Sequence, residues 1–390
     1  MSDGLRAAAP ITFLIYSPYP RYSGGRENWL YNLTGELARR GRSVTVLSYA
    51  SNRTRFYPPA DGVRVVSLPS VRYLDRAFFW VNRLTLGLAR LVDALVIYPL
   101  IAGRRLAREK PEVLVCMNSI PEGLAARIAG RPFFVSVRGD VPAEMARPRW
   151  ALERPLRAIE HRTLVRSVRV LANGSDTQER LRREGIESAL VPNGVDLARF
   201  RARPAENGIG ARLLEAVRGR PVISAIGTLR PIKGTGDAIA CAAELKKSGA
   251  GFVLVLVGKG DEGRYRRLAR VHGVDDVVVF LGETADVPAV LRHTDIFLAL
   301  SRGSGLSMAA LEAMAAGVPV VALDSPVYRQ LIDHEVNGLL ARSPAELAAC
   351  CLRLLRDADL RRRLGEEAGR TAEGYDWDRV ATRLLRELGR

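Results

Sequence analysis

Short runs of consecutive Val, Ile, Leu and Phe alternate along the chain with longer stretches in which apolar residues recur every three or four positions. Continuous apolar runs predict strands that are buried on both faces, and the longer period between them predicts helices. Ten strands are predicted, at residues 11–17, 43–49, 113–118, 133–138, 168–173, 222–227, 252–258, 277–282, 295–300 and 319–323. Five fall in each half of the chain, so the pattern predicts two α/β domains, each with a doubly wound parallel sheet.

The two sets of strands are separated by residues 196–220, which are rich in Pro, Gly and Arg. We therefore predict an N-terminal Rossmann-like domain over residues 1–200 and a second Rossmann-like domain over residues 201–375. The segment 344–390 has a helical pattern. A length of 390 residues agrees with two hydrophobic cores rather than one.

Positive charge is concentrated in the first half of the chain. Residues 1–200 contain 31 Lys and Arg against 18 Asp and Glu, and the whole chain carries a formal charge of +17. Such a field suits nucleic acid, an anionic membrane surface or an anionic substrate. Only five of the 59 basic residues are Lys, so an arginine-biased composition explains the charge equally well.

Cysteine spacing and hydropathy bear on the compartment. The four cysteines show no metal-ligand spacing, which favours a reduced protein without structural disulfides. The most apolar stretch, residues 84–103, contains Arg90, Asp93 and Pro99, and a central charge costs roughly 2.5–3.5 kcal/mol on membrane insertion. Because the sequence also shows no signal-peptide pattern, we expect a cytoplasmic protein without a transmembrane span.

Two glycines follow the first predicted strand in the stretch YSGGRENWL. Gly24 and Gly25 precede a helix, and a backbone without side chains lets an anionic ligand approach the helix N-terminus. A tight turn between strand and helix explains the same residues.

A basic loop, GTLRPIKGTGD, follows the first strand of the second half. Ligands of doubly wound sheets bind at the carboxyl ends of central strands, where this loop begins at Gly227. The planar fork of Arg230 and the point charge of Lys233 together suit a diphosphate. The alternative is a basic loop that contacts only solvent.

One carboxylate interrupts the apolar helix predicted within SRGSGLSMAALEAMAAGVPVVAL. Residues 308–316 are apolar except for Glu312, which predicts a buried helix whose carboxylate needs a partner from the protein or from a ligand. Ser304 or Ser307 is expected to cap the helix, and the N–H groups of residues 305–308 are placed to hold phosphate. A purely structural Glu312, paired with an arginine, is the alternative.

The segment GKGDEG, residues 258–263, matches the G-x-G-x-x-G pattern of dinucleotide-binding loops, and Glu283 follows at a suitable distance. Asp261 and Glu262 would repel a pyrophosphate at the helix start, and the segment lies outside the first βαβ unit of its domain. We therefore do not expect NAD binding. The four histidines show no ligand spacing, so no metal site is expected either.

Five segments, in this order, resemble the family-4 retaining glycosyltransferases of the GT-B fold. They are GGRE near the start, PNGVDLARF (192–200), LRPIKG (229–234), SGLSMAALEAMAAGVPVV (304–321) and YDWDRVATRLL (375–385). The resemblance covers nearly the whole chain. Its specific part is the Glu-Ala-Met-Ala-x-Gly-x-Pro-Val-Val block together with the earlier Lys-Gly loop.

The resemblance implies two Rossmann-like domains that face a cleft, with the acceptor on the first domain and a nucleotide-sugar on the second. It also implies that the final helix, residues 376–390, packs back on the first domain. Such enzymes need no metal and no cofactor, because cationic side chains and helix N–H groups stabilise the leaving diphosphate. The nucleotide-sugar is a co-substrate, and a UDP- or GDP-sugar is expected.

Residue by residue, the resemblance assigns catalytic roles to Arg230, Lys233 and Glu312. The first two would hold the diphosphate, and the glutamate would hold the nucleotide ribose hydroxyls. Further donor contacts are expected from Gly24, Gly25, Gly227, Gly282, Ser304, Gly305, Leu306 and Ser307. Contacts with the acceptor or the sugar are expected from Glu27, Arg138 and Asp140.

The sequence departs from the family pattern at three places. Thr228 stands where many members have the arginine of a Gly-Arg-Leu turn. Ser304 stands where many members have a glutamate that touches the donor sugar, and a hydroxyl lacks the charge and reach of a carboxylate. Arg138 replaces a common histidine, so it either contacts an anionic acceptor or donor carboxylate or pairs with Asp140.

The resemblance therefore predicts transfer of a hexose to an acceptor hydroxyl with retention of configuration. Residues 71–91 mix aromatics, Leu and Arg, which favours a lipid-linked or cell-envelope glycan acceptor at an anionic membrane surface, and no nucleic-acid partner. Such an enzyme would be peripheral on the inner face of the plasma membrane. A soluble natural-product or small glycoside acceptor stays open, and so does a GT-B-shaped binding protein without transfer activity.

Overall fold

The computed structural model describes residues 9–17, 25–49, 60–69, 88–146, 150–202 and 208–389. The chain divides into two compact units. Unit 1 comprises Met1–Pro192 together with Trp377–Arg390, and unit 2 comprises Asn193–Asp376. Each unit is built on one parallel sheet, which confirms the predicted fold class of two doubly wound α/β domains.

Unit 1 contains a seven-stranded sheet in which all neighbouring strands are parallel. Its strands are β1 Ile11–Ile15, β2 Val44–Tyr49, β3 Val63–Leu68, β4 Val113–Cys116, β5 Phe134–Val137, β6 Arg169–Ala172 and β7 Ser188–Leu190. Their order across the sheet is β3-β2-β1-β4-β5-β6-β7, so the winding reverses between β1 and β4. Ligands of doubly wound sheets bind at the carboxyl ends of the strands beside such a reversal.

Helices cover both faces of this sheet. They are α1 Gly25–Arg39, α2 Leu88–Val92, α3 Tyr98–Glu109, α4 Leu124–Ile128, α5 Val141–Ala146, α6 Glu153–Leu164, α7 Ser175–Arg183 and, from the end of the chain, α17 Trp377–Glu387. Short turns connect some of them, of π type at Asp93–Ile97 and Ser119–Gly123 and of 3₁₀ type at Trp150–Leu152.

The final helix α17 joins unit 1 because its apolar stripe completes the core beside α1. Trp377 and Leu384 are buried in one cluster with Trp29 and Leu37 of α1. At the edge of this contact, Arg40 donates a hydrogen bond to Thr382 at 3.0 Å. The end of the chain thus packs within the first unit.

Unit 2 contains a six-stranded parallel sheet with the order β10-β9-β8-β11-β12-β13, so its winding reverses between β8 and β11. Its strands are β8 Val222–Ile226, β9 Val253–Val257, β10 Val278–Gly282, β11 Ile296–Ala299, β12 Val320–Leu323 and β13 Leu339–Ala341. Its helices are α8 Leu197–Arg201, α9 Ile209–Val217, α10 Thr235–Lys247, α11 Glu262–Val271, α12 Val287–Arg292, α13 Met308–Ala315, α14 Pro326–Arg329, α15 Pro344–Arg356 and α16 Ala358–Glu373, with a 3₁₀ turn at Pro231–Lys233.

The units separate after Pro192, before the boundary predicted at residue 200. Phe200 and Val195 are buried in the core of unit 2, and Asn193 Nδ2 donates a hydrogen bond to the carbonyl oxygen of Leu306. The Pro- and Gly-rich composition of the connection marks a change of domain. The apolar residues just before it already belong to the second core, so the predicted boundary was too late.

Within the described residues, no helix is long and apolar enough to cross a membrane. From residue 88 onward, the most apolar stretch of the sequence forms α2, the π turn and α3. Tyr98 and Ala102 of α3 are buried against the sheet. This part of the stretch is therefore a helix packed on the core of unit 1.

Candidate functional site

The carboxyl ends of β8 and β11 lie beside the reversal in the unit 2 sheet, and two loops start there. Residues 227–234 follow β8, and residues 300–307 follow β11. Together these loops contain most of the residues predicted to bind the donor. This is the position at which doubly wound sheets hold ligands.

Close backbone packing holds Lys233 beside the β11 loop. Gly234 has a φ of +73°, and a Cβ placed on it would lie 2.5 Å from the carbonyl oxygen of Leu300. Only glycine fits, because the conformation is left-handed and no space is left for a side chain. Lys233 Nζ lies 3.5 Å from Ser301 Oγ, and both Lys233 and Arg230 are exposed. The basic loop is thus fixed at the entry of α13 with its cations in solvent.

Two of the three glycines of GKGDEG, Gly258 and Gly260, are explained by the same kind of approach. A Cβ on Gly258 would lie 2.0 Å from the oxygen of Gly227, and a Cβ on Gly260 would lie 2.5 Å from the oxygen of Leu229. Asp261 caps α11 by accepting a backbone N–H at 3.0 Å. Packing between two loops therefore accounts for the first two glycines of the G-x-G-x-x-G pattern without a dinucleotide.

Of the two candidate serines, Ser307 caps α13. Its Oγ accepts a hydrogen bond from the backbone N–H of Ala310 at 3.3 Å, whereas Ser304 is exposed in the preceding turn. The Tyr328 hydroxyl supports the loop by accepting the backbone N–H of Ser301 at 2.9 Å. The loop that contacts Lys233 at Ser301 therefore leads into the capped first turn of α13.

Three predicted donor residues contribute backbone to the same edge of the sheet. Gly305 is buried with a φ of +81°, and the oxygen of Leu306 accepts the side-chain hydrogen bond of Asn193. Gly282 ends β10, and its oxygen accepts the backbone N–H of Gly258 at 2.8 Å. Because β9 lies between β10 and β8, Gly282 is farther along the edge than the other predicted residues.

Glu312 lies in the middle of α13 and is partly exposed, although full burial was expected from the apolar helix. The surrounding protein raises the pKa of its carboxyl to about 7, and the positive charge of Arg199 offsets part of that rise. Arg199 instead donates to the carbonyl oxygen of Ala285 at 2.7 Å. No ion pair or hydrogen bond from the rest of the described chain holds the Glu312 carboxylate, so the alternative of a structural Glu312–arginine pair is not realised there.

In unit 1, Glu27 is a predicted site residue that has protein partners. Gly24 lies outside the described residues, and Gly25 is the exposed first residue of α1. Glu27 is buried, accepts a hydrogen bond from the Ser17 hydroxyl and lies 3.9 Å from the Arg26 guanidinium. A ligand at Glu27 would share its carboxylate with these two side chains.

Arg138 and Asp140 are held by different partners. The Arg138 guanidinium is buried 3.7 Å from the centroid of the Trp29 ring, and it donates to Ser136 Oγ at 3.2 Å. Burial lowers the pKa of this guanidinium. Asp140 pairs with Arg157 at 2.8 Å and accepts a backbone N–H at the start of α5. The geometry thus gives Asp140 a capping role and holds Arg138 against an aromatic ring.

Sequence reasoning missed Glu122, which is fully buried beside β1. Its Oε1 accepts the backbone N–H of Tyr16 at 2.9 Å, and its Oε2 is buried with no hydrogen-bond partner in the described chain. Burial raises the pKa of this carboxyl to about 7, and Arg26 offsets part of the rise. Glu122 lies in the turn after β4, so it stands at the reversal of the unit 1 sheet, where perturbed carboxyls are candidate site residues.

Chemically, the unit 2 site offers two exposed cations, a helix N-terminus and one carboxylate that receives no hydrogen bond from the described residues. Cations and helix N–H groups bind phosphate oxygens, and a carboxylate accepts hydrogen bonds from hydroxyls. The arrangement therefore suits a diphosphate ester that carries hydroxyl groups. Across the described ranges, no group of three or more His, Cys, Asp or Glu side chains is placed to hold a metal ion.

Solved structures of known proteins share this architecture. Sucrose-phosphate synthase from Thermosynechococcus elongatus matches with a TM-score of 0.77 at 19% identity, over 98% of this chain and 99% of that chain. Anabaena Alr3699/HepE, solved in complex with UDP, matches with a TM-score of 0.74 at 19% identity, over 97% and 99%. The fold is GT-B, as predicted.

Two family models match adjacent parts of the chain. The model described as Glycosyltransferase Family 4 matches residues 23–199, and the model described as Glycosyl transferases group 1 matches residues 220–357. The protein belongs to the family-4 glycosyltransferases, which confirms the resemblance drawn from its motifs.

Curated relatives are similar over part of their length. The D-inositol 3-phosphate glycosyltransferase of Salinispora arenicola is 30% identical over 252 residues, covering 59% of this chain and 56% of that protein. The GDP-mannose-dependent alpha-(1-6)-phosphatidylinositol monomannoside mannosyltransferase of Mycobacterium tuberculosis is 35% identical over 211 residues, covering 50% and 54%. The chain spans about half the length of the curated relatives it matches.

Proposed function

We propose that the protein is a retaining glycosyltransferase that moves a hexose from a nucleoside-diphosphate sugar to an acceptor hydroxyl. The observation that carries this proposal is the packing of the Lys233 loop against Leu300 and Ser301, in the loop that leads into the capped N-terminus of α13, the helix that contains Glu312. Cations and helix N–H groups at one place stabilise a leaving diphosphate. Membership of the family supports the same assignment.

Different side chains of unit 2 would bind the diphosphate and the ribose of the donor. Arg230 offers a planar fork and Lys233 a point charge to the diphosphate oxygens. Glu312 accepts hydrogen bonds from the ribose hydroxyls, which supply the donors that the described protein does not. A carboxylate at this depth is stabilised when it gains such donors.

In the proposed reaction, the acceptor oxygen bonds to the anomeric carbon on the face from which the diphosphate leaves. The bond between that carbon and the diphosphate oxygen breaks, and the diphosphate takes the acceptor proton. No protein base, metal or cofactor has a part in this scheme. The protein contributes electrostatic stabilisation of the departing charge.

For the donor, we propose a UDP- or GDP-hexose. The name of the M. tuberculosis relative specifies GDP-mannose, and Anabaena Alr3699/HepE was solved with UDP-glucose. Ser304 is exposed at the entry of α13, where its hydroxyl would meet the sugar with one short polar contact.

For the acceptor, we propose a lipid-linked or cell-envelope glycan at the cytoplasmic face of a membrane. Support comes from relatives named for phosphatidylinositol acceptors and from the positive charge of the first half of the chain. Most of the segment 71–91, which favoured a membrane patch, lies outside the described residues. A soluble acceptor is the second candidate, because another relative is named for D-inositol 3-phosphate.

Thermal unfolding with a panel of UDP-, GDP-, ADP- and TDP-sugars tests the donor site. A ligand that binds the native state raises its melting temperature by mass action. We expect one nucleotide-sugar to raise the melting temperature of the parent, and Glu312→Ala and Lys233→Ala to lose that rise. Lys259→Ala is the matched control, since Lys259 is an exposed lysine on the neighbouring loop, 3.2 Å from Glu283. Equal shifts in the parent and in Lys233→Ala would contradict the assigned site.

A further inference from the structure

The outward face of α2 and α3 in unit 1 carries large apolar side chains in solvent. Leu88, Val92, Val96 and Leu100 are 46%, 43%, 49% and 40% exposed. They recur every four residues across the π turn at Asp93–Ile97, which inserts one wider turn between the two helices. An exposed apolar row of this length marks a contact surface rather than scattered surface residues.

The opposite face of the same segment is firmly anchored. The carboxylate of Asp93 is fully buried and accepts hydrogen bonds from the hydroxyls of Tyr16 and Tyr49, at 2.5 Å and 2.6 Å. Tyr98 and Leu106 are buried in the core on this side of the sheet. The apolar row is therefore presented to solvent by a segment that cannot turn it inward without losing these contacts.

Basic side chains continue the row. Arg104 and Arg108 follow Leu100 at the same four-residue spacing, and both are exposed without an ion pair in the described chain. A helix advances about 1.5 Å per residue, so the apolar and basic parts together extend over about 30 Å. We call the six residues Leu88, Val92, Val96, Leu100, Arg104 and Arg108 the α2–α3 face.

The neighbouring helix α4 adds a further exposed apolar side chain and a further arginine next to this face. Ile128 is 48% exposed, and a Cβ on Gly103 of α3 would lie 3.1 Å from its Cγ2, so α4 lies directly against α3. Next to Ile128, burial and the positive charges of Arg166 and Arg162 lower the pKa of Arg127. Positive charges that act on one another in this way favour an anionic partner.

We propose that the α2–α3 face docks unit 1 on an anionic lipid surface. The apolar row would enter the boundary between headgroups and acyl chains, and the arginines would meet lipid phosphates. A second copy of this chain fits less well, because it would bring the same positive charge to the contact. The inference deepens the proposed membrane acceptor, yet binding to vesicles requires only a folded unit 1.

Co-sedimentation with vesicles tests this proposal. The probes are vesicles of pure phosphatidylcholine and of phosphatidylcholine mixed with phosphatidylglycerol, at low and at high salt. The parent is expected to bind the anionic vesicles at low salt and to be released by salt. Each arginine near an anionic surface contributes about a fivefold gain in affinity, so Arg104→Glu with Arg108→Glu should weaken binding at least tenfold. Val96→Asp with Leu100→Asp should weaken it comparably.

Matched controls lie on unit 2. Arg267→Glu with Arg270→Glu changes the net charge equally on exposed arginines of α11, and Val271→Asp repeats the apolar substitution at an 82% exposed valine. Both should bind vesicles within about twofold of the parent, which would support a local surface over bulk charge. A nucleotide-sugar thermal shift measured on the same samples reports the fold and the donor site independently.

Three results would overturn the docking proposal. The first is a parent that fails to bind anionic vesicles at low salt. The second is an equal loss in the α11 charge-reversal control. The third is a parent that self-associates in sedimentation while Val96→Asp with Leu100→Asp stays monomeric, which would make the face a contact between copies. A retained nucleotide-sugar shift in any of these cases would leave the proposed transferase site standing.

Discussion

Replacing Glu312 by glutamine should raise the stability of the protein at alkaline pH and weaken its binding of nucleotide-sugars. The folded protein raises the pKa of this carboxyl from 4.5 to about 7. A carboxyl with a raised pKa stabilises the fold fully below pH 4.5, and that contribution is lost as the pH rises through about 7. Glu312→Gln removes the titration, so the variant should become more stable than the parent at alkaline pH.

The magnitude follows from the size of the pKa change. One pKa unit corresponds to about 1.36 kcal/mol, so the difference between 4.5 and about 7 gives at most about 3 kcal/mol. Partial exposure of Glu312 allows solvent to screen its charge, which reduces the expected gain to about 1–2 kcal/mol. The same substitution should weaken nucleotide-sugar binding, because the amide no longer offers two acceptor oxygens to the ribose hydroxyls.

Urea unfolding of parent and variant from acidic pH, near 4.5, to alkaline pH measures this difference directly. Glu366→Gln, at an exposed glutamate of α16, is the matched control and should follow the parent at every pH. We expect the curves of parent and Glu312→Gln to diverge between about pH 4.5 and about pH 7 and to stay apart above that, with nucleotide-sugars stabilising only the parent. Parallel curves between about pH 4.5 and about pH 7 would contradict the raised pKa of Glu312, and a retained ligand effect would contradict the ribose contact.

Three further predictions follow from local geometry. Gly234→Ala places a Cβ 2.5 Å from a backbone oxygen at a positive φ, so it should lower the free energy of unfolding by about 1–3 kcal/mol. It should also weaken nucleotide binding, measured by calorimetry. Gly249→Ala is the control, because Gly249 has the same φ but open space around it. Glu122→Gln should raise stability above about pH 7 in urea unfolding, as for Glu312, and an unchanged pH dependence would contradict the raised pKa. Trp29→Ala should lower the free energy of unfolding by about 3–5 kcal/mol, whereas Trp29→Phe should cost less because a ring stays beneath Arg138; equal losses would contradict that role.

The central strands of both sheets could be predicted because they are apolar on both faces. All ten predicted strands occur, within two residues at their ends. The missed strands, β3, β7 and β13, are three of the four edge strands of the two sheets; the fourth, β10, was predicted. Edge strands pair on one side only, and these are either short or alternate with exposed residues, as in Val63–Leu68. Their weak apolar signal follows from that position.

The candidate site was predictable where local sequence determines it and not where distant packing does. Ser307, the apolar α13 and the Lys233 loop are visible in short segments, because caps and strand-end loops have local signals. The stacking of Arg138 on Trp29 joins residues far apart in sequence. Glu122 lies in an irregular turn whose burial depends on β1 and β4, so no local pattern marks it.

The most direct test of the account follows the configuration of the transferred sugar. The nucleotide-sugar selected by thermal shift would be incubated with the parent and with Lys233→Ala, and the products observed by proton NMR before the released sugar mutarotates. We expect the first product to keep the anomeric configuration of the donor, and Lys233→Ala to release nucleoside diphosphate far more slowly. Inversion of configuration, or equal release by both proteins, would contradict a retaining transferase built on this site.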